Sequence, residues 1–437
     1  MVWISNPVKR ISGHIIPPGD KSCSHRAILF AAMAEGTSYI TGLLEGDDVL
    51  RTGEACRKLG AEVTRTGKGA WTVTGKGGFE QPSEPIDFGN SGTGSRLMMG
   101  AMGGYDIKVE ITGDASLSSR PMGRVLNPLY DMGVTAENAE DGKLPLTLIG
   151  SSTLKAIDYT PPVASAQVKS CVLLAGLNAV GTTYVRETKK TRDHTERMLE
   201  GFGVALSSED DGEGQVVSIK GGQKLKAGEF VVPSDPSSAA FLLAAGLVAP
   251  ASDVTIEGHM TNPTRSGFLK VIEGMADVEL TNERTVSGET VVDVKVSRRD
   301  GLNATNPPVE LVPAMIDEFP IFAVLAAFAK GETHVTGAEE LRVKESDRIR
   351  ATVDLLRVNG VKVDEHEDGF TVYGCDGKVP GGGTVETRHD HRIAMSALVM
   401  GIAAENPVAV DDIAMIATSY PEFFDHMKQL GADIREA

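Results

Sequence analysis

The hydrophobic pattern repeats along the chain in six copies. Each copy opens with a polar cluster, runs into an Ala-rich apolar stretch, turns on small residues and ends in a short alternating segment. The first reads "KSCSHRAILFAAMAEGTSYITG". Its counterparts are "NSGTGSRLMMGAMGGYDIKVEITG", "SAQVKSCVLLAGLNAVGTTYVRE", "DPSSAAFLLAAGLVAPASDVTIEG", "IDEFPIFAVLAAFAKGETHVTG" and "HDHRIAMSALVMGIAAENPVAVDD". The spacing is about 70 to 80 residues, longer than that of solenoid repeats. A second, amphipathic segment closed by glycine follows in each copy, as in "VLRTGEACRKLG" and "RATVDLLRVNG". Hairpin patterns such as "AEVTRTGKGAWTVTG" come next. The unit predicted is β-α-β-α-β-β. Pro121 is expected at a helix N1 position, and Ser419 with Glu422 spells a capping box.

The first helix of each copy is apolar all round, so it must be buried on every side; an outer helix of a doubly wound sheet would keep a polar face. Helices inside and sheets outside follow, an inside-out α/β barrel. Six units exceed one core in a chain of 437 residues, which predicts two domains of three repeats, 21–234 and 1–20 plus 235–437. Every polar cluster precedes a buried helix, so the three helix N-termini of a domain should share a face. Those ends carry unpaired N–H groups and partial positive charge, which suits an anionic ligand. The active site is accordingly expected in the interdomain cleft.

Net charge is −17 and aromatic residues make up 5%, which disfavours nucleic acid and anionic membrane as partners. No apolar run reaches the length of a membrane span. The N-terminal stretch has no signal-peptide pattern, and the four cysteines form no CxxC pair. A cytoplasmic protein with free thiols is expected.

The polar clusters hold Lys21, Ser22 and Arg26; Asn90, Gly92, Thr93 and Arg96; Ser165, Gln167 and Lys169; Ser234 to Ser238; Asp317 and Glu318; and His389 to Arg392. The second helices add Arg120, Arg192, Lys344, Glu345 and Arg348. Arginine suits bidentate recognition of carboxylate and phosphate, and lysine acts as a point charge. "PPGDKS" and "GNSGTGSR" match neither the P-loop nor the dinucleotide fingerprint. "HDHR" lacks the ligands that would complete a metal site, and a Cys23–His25 nucleophile pair has little support from spacing alone.

The motifs "PGDKSCSHRA", "GNSGTGSRL", "SSRPMGRVLNPL", "SAQVKSCVLLAGL", "TRDHTERML", "IDEFP", "ELRVKESDRI", "DHRIAMS" and "MIATSYPEFF" closely resemble the 5-enolpyruvylshikimate-3-phosphate (EPSP) synthases, in their class II bacterial branch, over nearly the whole chain. The resemblance implies the two-domain inside-out α/β barrel and transfer of enolpyruvyl from phosphoenolpyruvate to the 5-hydroxyl of shikimate 3-phosphate. It implies no metal and no cofactor, and a monomer is expected. By the same resemblance Lys21 touches both substrates. Ser22, Arg26, Ser165, Ala166, Gln167, Arg192, Asp317 and Lys344 hold shikimate 3-phosphate. Asn90, Gly92, Thr93, Arg120, Gln167, Arg348 and Arg392 hold phosphoenolpyruvate. Asp317 is the implied base, and Glu345 handles the proton at the methylene carbon.

The chain departs from the family pattern in places. Thr418 stands where enteric relatives carry a lysine, and Ala166 replaces a serine. Gly92 is kept where some herbicide-tolerant relatives have alanine, which predicts inhibition by glyphosate. The rival functions are the transferase that uses UDP-N-acetylglucosamine and a non-catalytic ligand-binding protein built from the same repeats. Against them stand the motif "DKSCSHR", the loop "ASLSSRP" and the joint presence of Asp317, Glu345 and the arginines.

Overall fold

A computed structural model describes residues 2–298 and 301–437. The chain divides into two compact units. The N-half unit comprises Gly19–Val232 with Val286–Gly288; the C-half unit comprises Met1–Pro18, Pro233–Thr285 and Glu289–Ala437. Each carries three of the apolar helices.

In the N-half unit these are Lys21–Met33, Gly92–Gly103 and Ala166–Gly176. In the C-half unit they are Pro236–Val248, Phe319–Phe328 and His391–Gly401. Every residue of Pro236–Val248 and of Phe319–Phe328 is buried, so these helices have no solvent face to keep polar. Each Leu, Val or Phe so enclosed contributes about 1.5–3 kcal/mol relative to exposure, which accounts for the all-round apolar pattern. Small residues let the helices approach. A Cβ added at Gly100 would lie 2.3 Å from the Cys171 carbonyl oxygen on the next helix.

Sheets flank these helices. In the N-half unit, Glu35–Thr41 pairs antiparallel with Ala70–Lys76 and parallel with Glu229–Val231, and Glu62–Gly67 completes the four strands. Two further four-stranded sheets are built around Lys108–Thr112 and Thr182–Glu187. Among its described residues the C-half unit has two four-stranded sheets and one of three strands. The chain's first strands complete the former: Ile11–Ile15 runs parallel to Ser252–Met260, and Trp3–Asn6 lies between Val408–Val410 and Asp433–Glu436. Strands such as Ala70–Lys76 alternate fully buried with half-buried residues, as expected of a sheet with one face on a core.

Two helix starts differ from expectation. The helix after Pro121 begins at Gly123 with Met122 as its cap residue, so Pro121 stays outside it. The last helix, Phe423–Leu430, has Glu422 at its N-cap with no side-chain cap bond. Ser419 instead ends the 3₁₀ turn Ala414–Thr418, a turn intervening where the sequence suggested a capping box. The expected left-handed glycine closures are present at Gly60, Gly133, Gly203, Gly360 and Gly431.

Candidate active site

Five of the six buried helices cap their own first turn. The side chains of Asp20, Ser91, Ser165, Asp235 and Asp390 accept from the backbone N–H of Cys23, Gly94, Val168, Ser237 and Arg392. Such caps satisfy donors that the helix leaves unpaired. The sixth helix, starting at Phe319, has no side-chain cap.

In the N-half unit the three helix starts meet through side chains. Gln167 accepts from Arg96 Nη1 at 2.7 Å and donates to Thr93 Oγ1 at 3.0 Å, tying the second helix start to the third. Arg26 is buried and donates to Thr195 Oγ1 at 2.7 Å, Ser170 Oγ at 2.9 Å and the Ser22 carbonyl at 2.9 Å. All three acceptors are neutral, and burial pushes this guanidinium's pKa down. Burial and the neighbouring Arg124 and Arg120 bring Arg96 down to about 10. Arg120 donates to Asn90 Oδ1 at 2.9 Å and Ser116 Oγ at 3.2 Å, and Asn90 donates in turn to Asp114. A Cβ on Gly92 would stand 3.2 Å from Arg120 Nη1. Lys21 lies 3.2 Å from Asp48 Oδ2. Burial alone would raise the Asp48 carboxyl's pKa, but Lys21 leads the charges that bring it below the ordinary range.

Other members of the N-half clusters are engaged elsewhere. Lys169 is fully buried in an ion pair with Glu187 at 2.8 Å and Glu196 at 2.7 Å, so it is not an exposed cation for a ligand. His25 meets Thr52 Oγ1 at 2.8 Å, and Cys23 Sγ lies 3.7 Å from His194 Nδ1. The sequence neighbours Cys23 and His25 thus have separate partners. Arg192 precedes the helix His194–Gly201, and Ala166 opens the third buried helix.

The C-half unit gathers its charges around Arg348, which is 1% exposed. Its guanidinium lies 2.5 Å from Glu345, 2.8 Å from Asp390 and 3.2 Å from Asp317. Burial opposes its charge, yet the three carboxylates hold its pKa above the ordinary arginine value. Glu345 keeps 44% of its side chain exposed. Desolvation raises its pKa, Arg348 and His391 lower it, and it ends below the usual carboxyl range. Asp390 follows the same logic. Arg392 donates to the Asp317 carbonyl at 3.0 Å and lies 4.0 Å from that residue's carboxylate. Lys344 pairs with Glu340, and Thr418 Oγ1 donates to the Met415 carbonyl at 2.7 Å.

The repeat pattern of polar clusters does not single out Arg265. It is buried, donates to Asp235 Oδ1 at 3.0 Å and Ser237 Oγ at 3.2 Å, and comes within 3.9 Å of Asp317. Its place was legible. It precedes Gly267–Ile272, the second helix of its repeat, where other copies carry Arg120, Arg192 and Arg348.

Each unit therefore concentrates cations at one set of helix starts, and the C-half unit adds the proton-accepting groups. Such parts suit bound anions undergoing proton transfer. The family profile described as EPSP synthase (3-phosphoshikimate 1-carboxyvinyltransferase) matches residues 5–427. The 3-phosphoshikimate 1-carboxyvinyltransferase of Hyphomonas neptunium is 64% identical over 100% of both chains. That of a Chelativorans species is 53% identical over 98% of this chain and 96% of its own. An EPSP synthase structure from Acinetobacter baumannii superposes with a TM-score of 0.93 at 40% identity, covering 100% of this chain and 99% of that one. On the fold, the two charge constellations and these likenesses, the chain belongs to the EPSP synthase family.

Proposed function

We propose that the two constellations serve a single reaction and that the named residues divide its work. The activity is that of the family: transfer of the enolpyruvyl group from phosphoenolpyruvate to shikimate 3-phosphate, in aromatic amino acid biosynthesis. In this reading Lys21, Ser22, Arg26, Ser165, Ala166, Gln167, Arg192, Asp317 and Lys344 hold shikimate 3-phosphate. Lys21, Asn90, Gly92, Thr93, Arg120, Gln167, Arg348 and Arg392 hold phosphoenolpyruvate. Asp317 takes the proton of the 5-hydroxyl as its oxygen attacks C2 of phosphoenolpyruvate, and Glu345 delivers a proton to C3. The tetrahedral adduct then loses that C3 proton and expels phosphate, leaving the enol ether. We also read the protein as a cytoplasmic monomer acting without metal or cofactor; none of the described helices is long and apolar enough to cross a membrane.

The observation that carries this reading is Arg348, bonded at once to the implied base and the implied acid. Glu345 begins on the ionised side of its titration because Arg348 holds it there. An anionic substrate that draws on the same guanidinium loosens that hold and raises the carboxyl's pKa, as proton delivery requires.

The test is phosphate release measured with each substrate omitted in turn. Release needs both phosphoenolpyruvate and shikimate 3-phosphate; release supported by UDP-N-acetylglucosamine instead would sink the reading. Asp317→Asn keeps the side chain's size and removes its basicity. Its kcat should fall about 10²–10⁴-fold with the thermal midpoint little moved. A loss confined to KM would remove Asp317 from the role of base.

A further inference from the structure

Glu318 follows the implied base along the chain, is 1% exposed, and has no role in the reaction described above. Its Oε1 accepts a hydrogen bond from Ser237 Oγ and lies 3.7 Å from Arg392 Nη1. Its Oε2 is buried with no hydrogen-bond partner among the described residues. The charged groups acting on it come from several elements. Arg265 belongs to the segment before Gly267–Ile272, Arg392 to His391–Gly401, and Asp317 is its chain neighbour. Asp235, capping Pro236–Val248, is tied to the same Arg265 and Ser237 group.

The local charge balance is already unfavourable to another anion. Arg265, Arg348 and Arg392 face the carboxylates of Asp235, Asp317, Asp390 and Glu345. An ionised Glu318 would add one more negative charge, with one oxygen buried and unbonded, which is costly. Burial is the dominant influence and pushes its pKa up. Arg265 and Arg392 pull it down, Asp317 pushes it up again, and the net result lies above the ordinary carboxyl value.

We propose that Glu318 is a positioning residue that works as a neutral carboxylic acid, fixing Ser237 and placing no second carboxylate charge against Arg392, which already lies 4.0 Å from that of Asp317. The proposal rests on the reading of Arg392 as a phosphoenolpyruvate ligand. A neutral acid accepts from Ser237, which in turn accepts from Arg265 Nη2, so the chain of bonds stays intact without a competing anion. Once ionised, Glu318 competes with the substrate for Arg392. KM for phosphoenolpyruvate should therefore rise with pH above the Glu318 pKa, approaching tenfold per pH unit, while kcat at saturating substrate does not follow that slope.

The experiment compares KM and kcat for phosphoenolpyruvate across neutral and alkaline pH in the wild type and Glu318→Gln. Glutamine keeps the acceptor for Ser237 and cannot ionise, so this component of the KM rise should vanish. An unchanged KM–pH slope, or a kcat loss with KM unmoved, would overturn the proposal. Difference infrared spectroscopy of wild-type protein with isotope-labelled glutamate gives a readout that needs no variant to fold. A carboxylic-acid carbonyl band that is present at neutral pH and shifts on adding phosphoenolpyruvate is expected; its absence overturns the proposal. Arg392→Gln separates the two readings. If that variant binds phosphoenolpyruvate normally, the role of Arg392 fails; if it loses affinity while the Glu318 arms fail, only the Glu318 proposal falls.

Discussion

The two units hold the arginines of their helix starts in opposite ways. In the N-half unit, Arg26, Arg96 and Arg120 bond to hydroxyls, amide oxygens and a backbone carbonyl, and among the described residues none pairs with a carboxylate. In the C-half unit, Arg348 alone holds three carboxylates. Cations with neutral partners keep their electrostatic capacity for a ligand that arrives as an anion. A cation surrounded by carboxylates also sets their proton affinities, as Arg348 does for Glu345 and Asp390. The contrast lies in the partners: at matched helix starts one unit leaves its arginines to neutral acceptors, and the other surrounds an arginine with carboxylates.

The strongest test of that contrast is Arg348→Met. It leaves Asp317, Glu345 and Asp390 without their common partner, and breaking a buried pair in this way costs about 3–5 kcal/mol. The thermal midpoint and kcat should both fall sharply. A variant as stable as the wild type would show that Arg348 is not what compensates these carboxylates. Arg26→Gln probes the other half. Its partners there are uncharged and can turn to water or to each other, so the loss should appear in binding. Hydrogen bonds to a charged group contribute about 1.5–3 kcal/mol, or ~10- to 150-fold in KM for shikimate 3-phosphate, with a smaller change in stability. A stability loss rivalling that of Arg348→Met would erase the distinction.

Buried histidines provide a weaker lever present in both halves. Burial lowers His25 to about 3 and His259 to about 4. Below an unfolded value of about 6.5, the unfolded chain binds protons that the native state refuses, so stability falls as pH falls. Each histidine adds a slope of about 1.4 kcal/mol per pH unit, continuing down to its native value. Denaturant midpoints between neutral pH and pH ~5 would reveal this; a flat profile would mean that both rings protonate within the native fold. The smallest effect expected is that of Gly92→Ala. Its methyl would press on the far end of Arg120, 3.2 Å away, a flexible group that yields at about 1 kcal/mol, the low end of overpacking costs. KM for phosphoenolpyruvate should rise several-fold, and inhibition by glyphosate, expected of the wild type, should weaken. Wild-type insensitivity, or equal inhibition of both proteins, would remove Gly92 from the account.

Much of this was legible in the sequence because the constraints were periodic. Helices such as "FPIFAVLAAF" can only be interior, and their polar starts recur at matched places, so Arg26, Gln167, Arg348 and Arg392 could be singled out by position. What could not be read were side-chain partnerships across repeats. Lys169 looks like a site cation but is consumed by Glu187 and Glu196. Arg265 holds a place matched by Arg120, Arg192 and Arg348, but its contacts with Asp235 and Ser237 cannot be read from that place. The state of Glu345 depends on competing burial and charge, a balance decided by ångströms rather than by order along the chain.

One departure among the six helix starts has a wider consequence. Pro320 occupies the second position of the helix beginning at Phe319 and has no N–H, so that turn offers one fewer donor to be capped. Glu318, at the cap position, makes no side-chain bond to that turn, whereas its counterparts in the other five copies do. Its carboxyl accepts instead from Ser237, in the first turn of another buried helix, and so ties two helix starts together rather than closing one.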